Sequence, residues 1–399
     1  MVSGSVNGSV VLVTDADQRA ALAVVRSLGR AGYRVIVGGP RHRSLAGASR
    51  YCSARIVLPD SLTEPEKFAA GVISAVAAHG VNALIPITEG SLLALLARRS
   101  ELRECLLPFA DLATFQRVSD KAEVLHVAAG EGIAIPGQVI IEAFGAHLPP
   151  DLPPFPLVIK PSRSVTAAGG ESRKHTVVHV ADRRALDGAL AAIDPTAYPL
   201  MLQQRIIGPG IGIFLLVWDG KMRALFAHRR LREKPPSGGV SVYREGVAAD
   251  AALVERSRRL LASLNWQGVA MVEYKIDAAT GTPYLMEING RFWGSLQLAI
   301  DAGVDFPRLL LEVASGGGPA TIPEWKVGVR SRWWWGEVDH LLALFGRSRA
   351  DLALPPGHPG RWEALVDFLT PRSANKNETL QFDDPMPFVV ETLEWFRGR

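Results

Sequence analysis

Residues 10–13 (VVLV) form a short unbroken apolar run, residues 17–30 carry an apolar stripe at helical spacing, and residues 34–38 and 81–87 return to short apolar runs. Strands of this length separated by helical stretches make the βαβ rhythm of a small parallel sheet with helices on both faces. After about residue 115 the rhythm changes. A helix is expected to start at Ser119 or Asp120 as N-cap and run to residue 129, with Gly130 near its end. The runs 155–160, 200–207 and 213–218 read as strands, with Gly208-Pro209-Gly210 between the last two and a turn at Asp219-Gly220. Residues 268–277 (GVAMVEYKID) and 284–291 (YLMEINGR) form a strand pair, and 278–282 has the glycine and small residues of a hairpin turn.

Farther along, residues 327–335 (VGVRSRWWW) alternate. This predicts a strand with Val327, Val329, Trp333 and Trp335 on one face and Arg330, Arg332 and Trp334 on the other, the arginines either structurally paired or facing a site. Residues 337–345 and 385–396 have helical patterns with apolar faces suited to docking. The proline-rich stretch 149–156 is a linker into a mobile lobe, and the chain has no internal repeat. The expected fold class is α/β with α+β lobes. A parallel-sheet domain spans 1–115, a central domain 116–320 contains a mobile lobe at about 151–205, and an α+β extension covers 321–399.

The strand pair carries the chemistry. Side chains alternate in a strand, so Glu287, Asn289 and Arg291 share one face. If Asp277 pairs with Pro283, Glu273 stands opposite Glu287. Facing carboxylates sit about 5 Å apart at their β-carbons, and at an effective dielectric near 20 they repel by roughly 3 kcal/mol. A cation between them is the economical answer. Magnesium held by the carboxylates, an amide oxygen and nucleotide phosphates fits, with Arg291 neutralising further phosphate charge.

Upstream, 155–160 (FPLVIK) ends in Lys160 and leads into 162–172 (SRSVTAAGGES), a glycine-, serine- and threonine-rich segment able to fold over phosphates. It is neither a P-loop nor a GxGxxG. The join at 200–207 can hinge two lobes, with adenine held by backbone groups around 203–206.

In this order, Asp120-Lys121, Lys160 with its loop, Gln203-Gln204, and Glu273 with Glu287, Asn289 and Arg291 resemble the ATP-grasp superfamily of carboxylate–amine and carboxylate–thiol ligases, from about residue 119 to 311. The type is that of the carbamoyl-phosphate synthase ATP-grasp domain. The resemblance implies an ATP-grasp fold behind a Rossmann-like parallel-sheet domain, a mobile nucleotide lid, and a C-terminal α+β extension. It also implies ATP, with Mg2+ or Mn2+. Carried over, Lys121, Lys160, Ser162, Ser164, Thr166, Gly169, Gly170, Gln203, Gln204, Arg205 and Ile206 contact the nucleotide, while Glu273, Glu287 and Asn289 hold metal. Lys160 and Arg291 serve the chemistry, and Arg230 or Arg232, in the segment 227–239 bordering the acceptor site, binds a substrate carboxylate; a solvated charged strand end is the other reading of that segment. Many relatives have proline where this chain has Gly290, and no acidic residue follows the hinge between 207 and 217 to hold ribose.

Composition narrows the class. The 399 residues carry 44 Lys and Arg against 40 Asp and Glu, a formal charge of +4 without a basic run, so nucleic-acid binding is not expected. Cys52 and Cys105 lack metal-ligand spacing and fit reduced thiols of a cytoplasmic protein. Residues 1–10 lack a signal pattern and no run reaches a membrane span, so no membrane partner is expected. The turn Thr14-Asp15-Ala16-Asp17 lacks the glycines a dinucleotide needs. Thr14, Asp15, Thr88 and Glu89 lie where ligands approach such sheets, although Asp15 or Asp17 serves equally as a helix cap. His126, His175, His179 and His228 show no nucleophile–base spacing.

The reading is a ligase that joins a small-molecule carboxylate to an amine through an acyl phosphate, releasing ADP and phosphate, with a homodimer left open. The same nucleotide site would also serve ATP-dependent carboxylation, phosphoryl transfer, or ATP sensing without turnover.

Overall fold

A computed structural model describes residues 8–168, 171–349, 351–352, 354 and 357–398. Val10–Val13 (β1), Arg34–Gly39 (β2), Cys52–Val57 (β3) and Ala83–Ile85 (β4) form a parallel sheet in the order β3-β2-β1-β4. Arg19–Arg30 (α1), Pro65–His79 (α2) and Glu89–Leu96 (α3) connect and flank the strands. β1 is buried along its length because both sheet faces are covered. β3, which no strong apolar run announces, is an edge strand alternating half-buried and exposed.

Two helices follow, Leu112–Ser119 (α4) and Lys121–Gly130 (α5). Asp120 separates them and caps α5 by accepting from the backbone N–H of Ala122 and Glu123. Next come Gln138–Ile141 (β5), Leu157–Pro161 (β6), Val165–Ala168 (β7), Glu171–Lys174 (β8), Val178–Val180 (β9), Arg183–Ala192 (α6) and Leu200–Gln204 (β10). Four of these strands form an antiparallel sheet in the order β5-β10-β6-β9. This sheet has its own core, with Leu157, Ile159, Leu200 and Leu202 packed under Leu186. Because β5 pairs with β10, the lobe begins before the expected residue 151. In place of the irregular loop expected over 162–172, β7 pairs antiparallel with β8, from Val165 opposite Lys174 to Ala168 opposite Glu171.

The remaining elements are Gly210–Trp218 (β11), Lys221–Lys234 (β12), Val240–Gly246 (β13), Ala251–Ser263 (α7), Gly268–Ile276 (β14), Pro283–Asn289 (β15), Leu296–Ala302 (α8), Phe306–Ala314 (α9), Arg330–Arg332 (β16), Trp334–Gly346 (α10), Arg361–Leu369 (α11), Asn375–Asn377 (β17) and Met386–Arg397 (α12). Seven strands make the main sheet, ordered β15-β14-β11-β12-β13-β16-β17. The expected strand over 327–335 is therefore a correction: only 330–332 pair, and α10 begins at Trp334. Arg330 pairs with Glu245, and Arg332 is buried against Glu337, so both arginines are structural.

The C-terminal extension is built into the rest of the chain. Asp384 and the carbonyls of Glu378 and Thr379 accept from the buried Arg26 guanidinium of α1 at 2.8–2.9 Å. This straps the parallel-sheet domain to the edge of the main sheet. Among the described residues no helix is long and apolar enough to cross a membrane.

Candidate functional site

The cleft face of the main sheet can be read as cross-strand rows. His228 of β12 opposes Gly212 of β11, Gly212 opposes Glu273 of β14, and Glu273 opposes Glu287 of β15. Directly opposed residues share a face, so the two carboxylates meet as the pattern predicted, by a different register. Pro283 pairs with Ile276 rather than Asp277, and a bulge at the Glu273/Tyr274 step restores the facing acids. At Gly210 and Gly212, β11 presents no side chain to the cleft. A Cβ at Gly210 would lie 2.8 Å from the Cδ of Arg230, and one at Gly212 would lie 3.0 Å from the Cδ2 of His228. Arg230 therefore reaches over bare backbone to Glu273.

Charge at the row is balanced by cations from three directions. Arg230 ion-pairs with Glu273 and, at 2.8 Å, with Glu233. Lys121, from the first turn of α5, lies 3.7 Å from Glu287 and donates to Ser164 Oγ at 2.6 Å. Burial and the facing Glu287 carboxylate hold Glu273 above the usual carboxylate range, against the pull of Arg230. Burial also opposes the charge of Glu287, yet Lys121, the Asn289 amide and Lys160 push it down to about 2. Lys160, on β6, is lowered to about 8 by burial, and it donates to Gln203 Oε1 at 2.8 Å. Asn289 donates to Glu287 at 2.9 Å and accepts from Arg291 at 3.1 Å. A cavity of about 580 Å³ runs between the two sheets along these residues, and the hinge segment 203–206 lines it.

Residues 196–336 match the family described as ATP-grasp in the biosynthetic pathway with Ter operon. The chain has the ATP-grasp fold. L-amino acid ligase from Bacillus licheniformis is similar at a TM-score of 0.60 and 19% identity, over 77% of this chain and 74% of that one. Biotin carboxylase from Campylobacter jejuni is similar at 0.60 and 15%, over 81% and 74%. N5-carboxyaminoimidazole synthetase from Staphylococcus aureus is similar at 0.58 and 13%, over 81% and 83%. No curated protein matches the chain by sequence.

The ATP-grasp cleft brings together Lys121, Lys160, Gln203, Gln204, Arg205, Ile206, Arg230, Glu273, Glu287, Asn289 and Arg291. Other expected contacts lie elsewhere. Ser162 is buried and donates to Asp120, while its carbonyl accepts from the Lys121 N–H at 2.9 Å, so it fastens the lobe to α5. Ser164 meets Lys121 at the edge of the cleft. Thr166 donates to the Thr196 carbonyl at 3.1 Å within the lobe. Gly169 and Gly170 lie outside the described residues. Gln203 spends its amide on Gln138 and Lys160. The N–H groups of Gln204 and Arg205 donate to Gly137 and Pro156, leaving the Ile206 N–H without a partner among the described residues.

Arg232 is placed away from the carboxylates. It ion-pairs with Glu337 at 2.9 Å and Asp367 at 2.7 Å, beside a second cavity of about 1030 Å³ under α11. That cavity is larger, but several of its charges neutralise one another, as Arg372 does with Asp367. The smaller cleft holds the acid pair and the buried lysine, so it is the candidate site.

In the parallel-sheet domain, Asp15 accepts from the N–H groups of Ile87 and Thr88 at 3.0 and 3.1 Å and from the Ser91 hydroxyl at 2.7 Å. It joins two strand ends and caps no part of α1, whose N-cap Gln18 makes no side-chain cap bond. Asp17 does not cap it either and pairs with Arg41. Thr88 caps α3. Glu89 reaches the site, lining a small space with Lys121, Ser164, Glu287, Asn289 and Arg291, and burial raises its pKa.

Sequence reasoning set aside His179 and His228 and did not single out Lys174 or Lys275, and the fold brings all four into the cleft. His228 and Arg230 are two apart on one strand, a spacing that could have placed the histidine beside the acids. Gly290 stands where a Cβ would strike the Trp266 ring, which accounts for the small residue after Asn289.

Proposed function

We propose that the protein is an ATP-dependent carboxylate–amine ligase acting through an acyl phosphate. The observation that carries this reading is the facing pair Glu273 and Glu287, set in one cleft with Lys121, Lys160, Arg230 and Arg291. Two carboxylate groups and an amide on one face, already drawing cations, suit Mg2+, and Glu273, Glu287 and Asn289 would hold it. Bound there with ATP, the metal supplies neutralisation of phosphate charge.

Lys121 and Lys160 hold phosphate oxygens while the β7–β8 pair covers them, and the Ile206 N–H meets the adenine edge. Arg291, next to the acids, neutralises the γ-phosphate or the substrate carboxylate. A substrate carboxylate oxygen attacks the γ-phosphorus and ADP leaves. The amine then attacks the acyl carbon, a C–N bond forms, and the C–O bond to phosphate breaks. Positioning and charge compensation are what this cleft provides, and no covalent enzyme intermediate is required. The likeness to an L-amino acid ligase supports amide formation. Likeness to a biotin carboxylase and an N5-carboxyaminoimidazole synthetase favours, as a second reading, ATP-dependent carboxylation on the same scaffold.

The test is ADP and phosphate release from Mg-ATP with pooled carboxylates and amines, using Glu287→Gln as control. Release that needs both pools and vanishes in the control supports the ligase; dependence on bicarbonate alone moves the assignment to carboxylation. Light scattering on the same preparation reads whether two copies associate.

A further inference from the structure

The β12 side of the cleft, away from Glu287, contains buried polar atoms that the fold leaves unsatisfied. His228 is 1% exposed, Trp293 2% and Ser241 7%, and all three line the cleft. Both ring nitrogens of His228, the Trp293 Nε1 and the Ser241 Oγ have no hydrogen-bond partner among the described residues. Buried polar atoms in native proteins are almost always paired, so a group of them around one cavity marks where a ligand is held. His228 and Trp293 both pack on the Phe214 ring, at centroid distances of 4.7 and 4.4 Å, which makes them two walls of one pocket. Gly212 separates His228 from Glu273, so the pocket opens about two strand spacings, roughly 10 Å, from the metal-binding candidates.

We propose that this pocket is the acceptor subsite of the ligase, and that it takes an amino-acid-like amine, one bearing its own carboxylate. The inference rests on the ligase reading above. The indole N–H only donates, so it requires an acceptor oxygen on the ligand. A neutral imidazole offers one donor and one acceptor, and the acceptor suits an amine N–H. Burial keeps His228 neutral, and Arg230 and Arg244 beside it act in the same direction. Two arginines border the pocket: Arg230 on the same strand face, which pairs with Glu273 and Glu233, and Arg19, which pairs with Glu378 and whose Nη2 lies 3.3 Å from where a Cβ on Gly294 would stand. Each guanidinium carries five N–H donors, more than these pairs use, and a carboxylate on the acceptor suits the remainder. Ser241 can turn its hydroxyl to either group.

Two assays on the full chain separate this inference from the reading beneath it. Hydroxylamine is small enough to capture an acyl phosphate without the subsite, so hydroxamate formed from Mg-ATP and pooled carboxylates tests the ligase chemistry alone. Amide formation is then measured with pooled α-amino acids against pooled alkylamines, in the wild type, Trp293→Phe, Ser241→Ala and Trp266→Phe. Trp266 also has a buried unpartnered Nε1 but lines no part of the cleft, so it controls for loss of an indole N–H.

The proposal expects amino acids to support amide formation, and KM for the amine to rise about tenfold in Trp293→Phe and in Ser241→Ala, one hydrogen bond each. KM for ATP should hold in both, and Trp266→Phe should match the wild type. Hydroxamate formation together with an unchanged amine KM in both cleft variants overturns the subsite alone. Use of alkylamines but not amino acids overturns the ligand class. No hydroxamate from any carboxylate removes the ligase reading, and the acceptor subsite with it.

Discussion

Arg230 and Arg232 stand two residues apart on β12, and nothing in AHRRLREK says which of them meets a ligand. In the fold they serve different neighbourhoods. Arg230 crosses Gly210 to Glu273 in the cleft, whereas Arg232 pairs with Glu337 and Asp367 from α10 and α11. The register of β12 against β13 shifts between Arg230 and Arg232 and again before Glu233, so the period of two that would keep them on one face is broken. The lesson is about partners. Arg230 faces carboxylates that line the cleft of the acid pair, while Arg232 is held by Glu337, sealed under α10, and by the partly exposed Asp367. A charge pair of the first kind can be exchanged for a ligand; one of the second kind only holds structure.

The largest expected effect lies on the cleft side. Glu287→Gln should cut Mg-dependent ADP release by more than about a hundredfold, the scale seen when a preorganised charge-stabilising group is lost. Its melting temperature should stay close to that of the wild type; retained turnover would show that the facing acids are not the nucleotide site. Next comes the arginine contrast itself. Arg232→Ala leaves the buried Glu337 with Arg332 alone and removes the pair to Asp367, and chemical denaturation should show a loss of about 1.5 to 3 kcal/mol while the folded fraction keeps its turnover. Arg230→Ala, which removes the ion pairs to Glu273 and Glu233, should lose turnover in the folded fraction. Equal effects of the two substitutions on turnover would erase the distinction.

A subtler effect is the pH dependence of nucleotide affinity. The Lys160 pKa is lowered from 10.5 to about 8, so the lysine is charged below that pH and neutral above it. ATP affinity of the free protein, measured by calorimetry, should fall as pH rises through about 8, and Lys160→Arg should flatten the profile. The smallest signal is in the lid. Saturating ATP should slow backbone hydrogen exchange in β7 and β8, and unchanged exchange with ATP bound would remove the pair from the site.

Much of the site is legible in the sequence because it sits on short-range patterns. A hairpin turn with alternating flanks places Glu273 near Glu287, and a strand ending in lysine marks Lys160. Even so, the facing acids came from an expected Asp277–Pro283 pairing that the molecule replaces with a one-residue bulge. The segment 327–335 shows the opposite failure. Its alternation is real, but α10 begins at Trp334, and the indoles of Trp333 and Trp335 donate to α12 at Glu391 and Thr392, partners that no local pattern announces. Asp15 looked like a helix cap, and its oxygens go to a strand end many residues away.

What the sequence by itself determined is the set of local elements and the chemistry of the hairpin, since strand period, turn residues and helix caps act over a few neighbouring positions. Only the tertiary structure decided which side chains share the cleft. His228, Glu89 and Lys275 reach it through cross-strand rows and domain packing, while Ser162 leaves it for the start of α5 and Thr166 for a contact within the lobe. Those choices depend on strand order and on the strap from the segment before α12 to α1, which link residues hundreds of positions apart. No local pattern encodes a partner at that distance, because the energy that selects it comes from burying both at once.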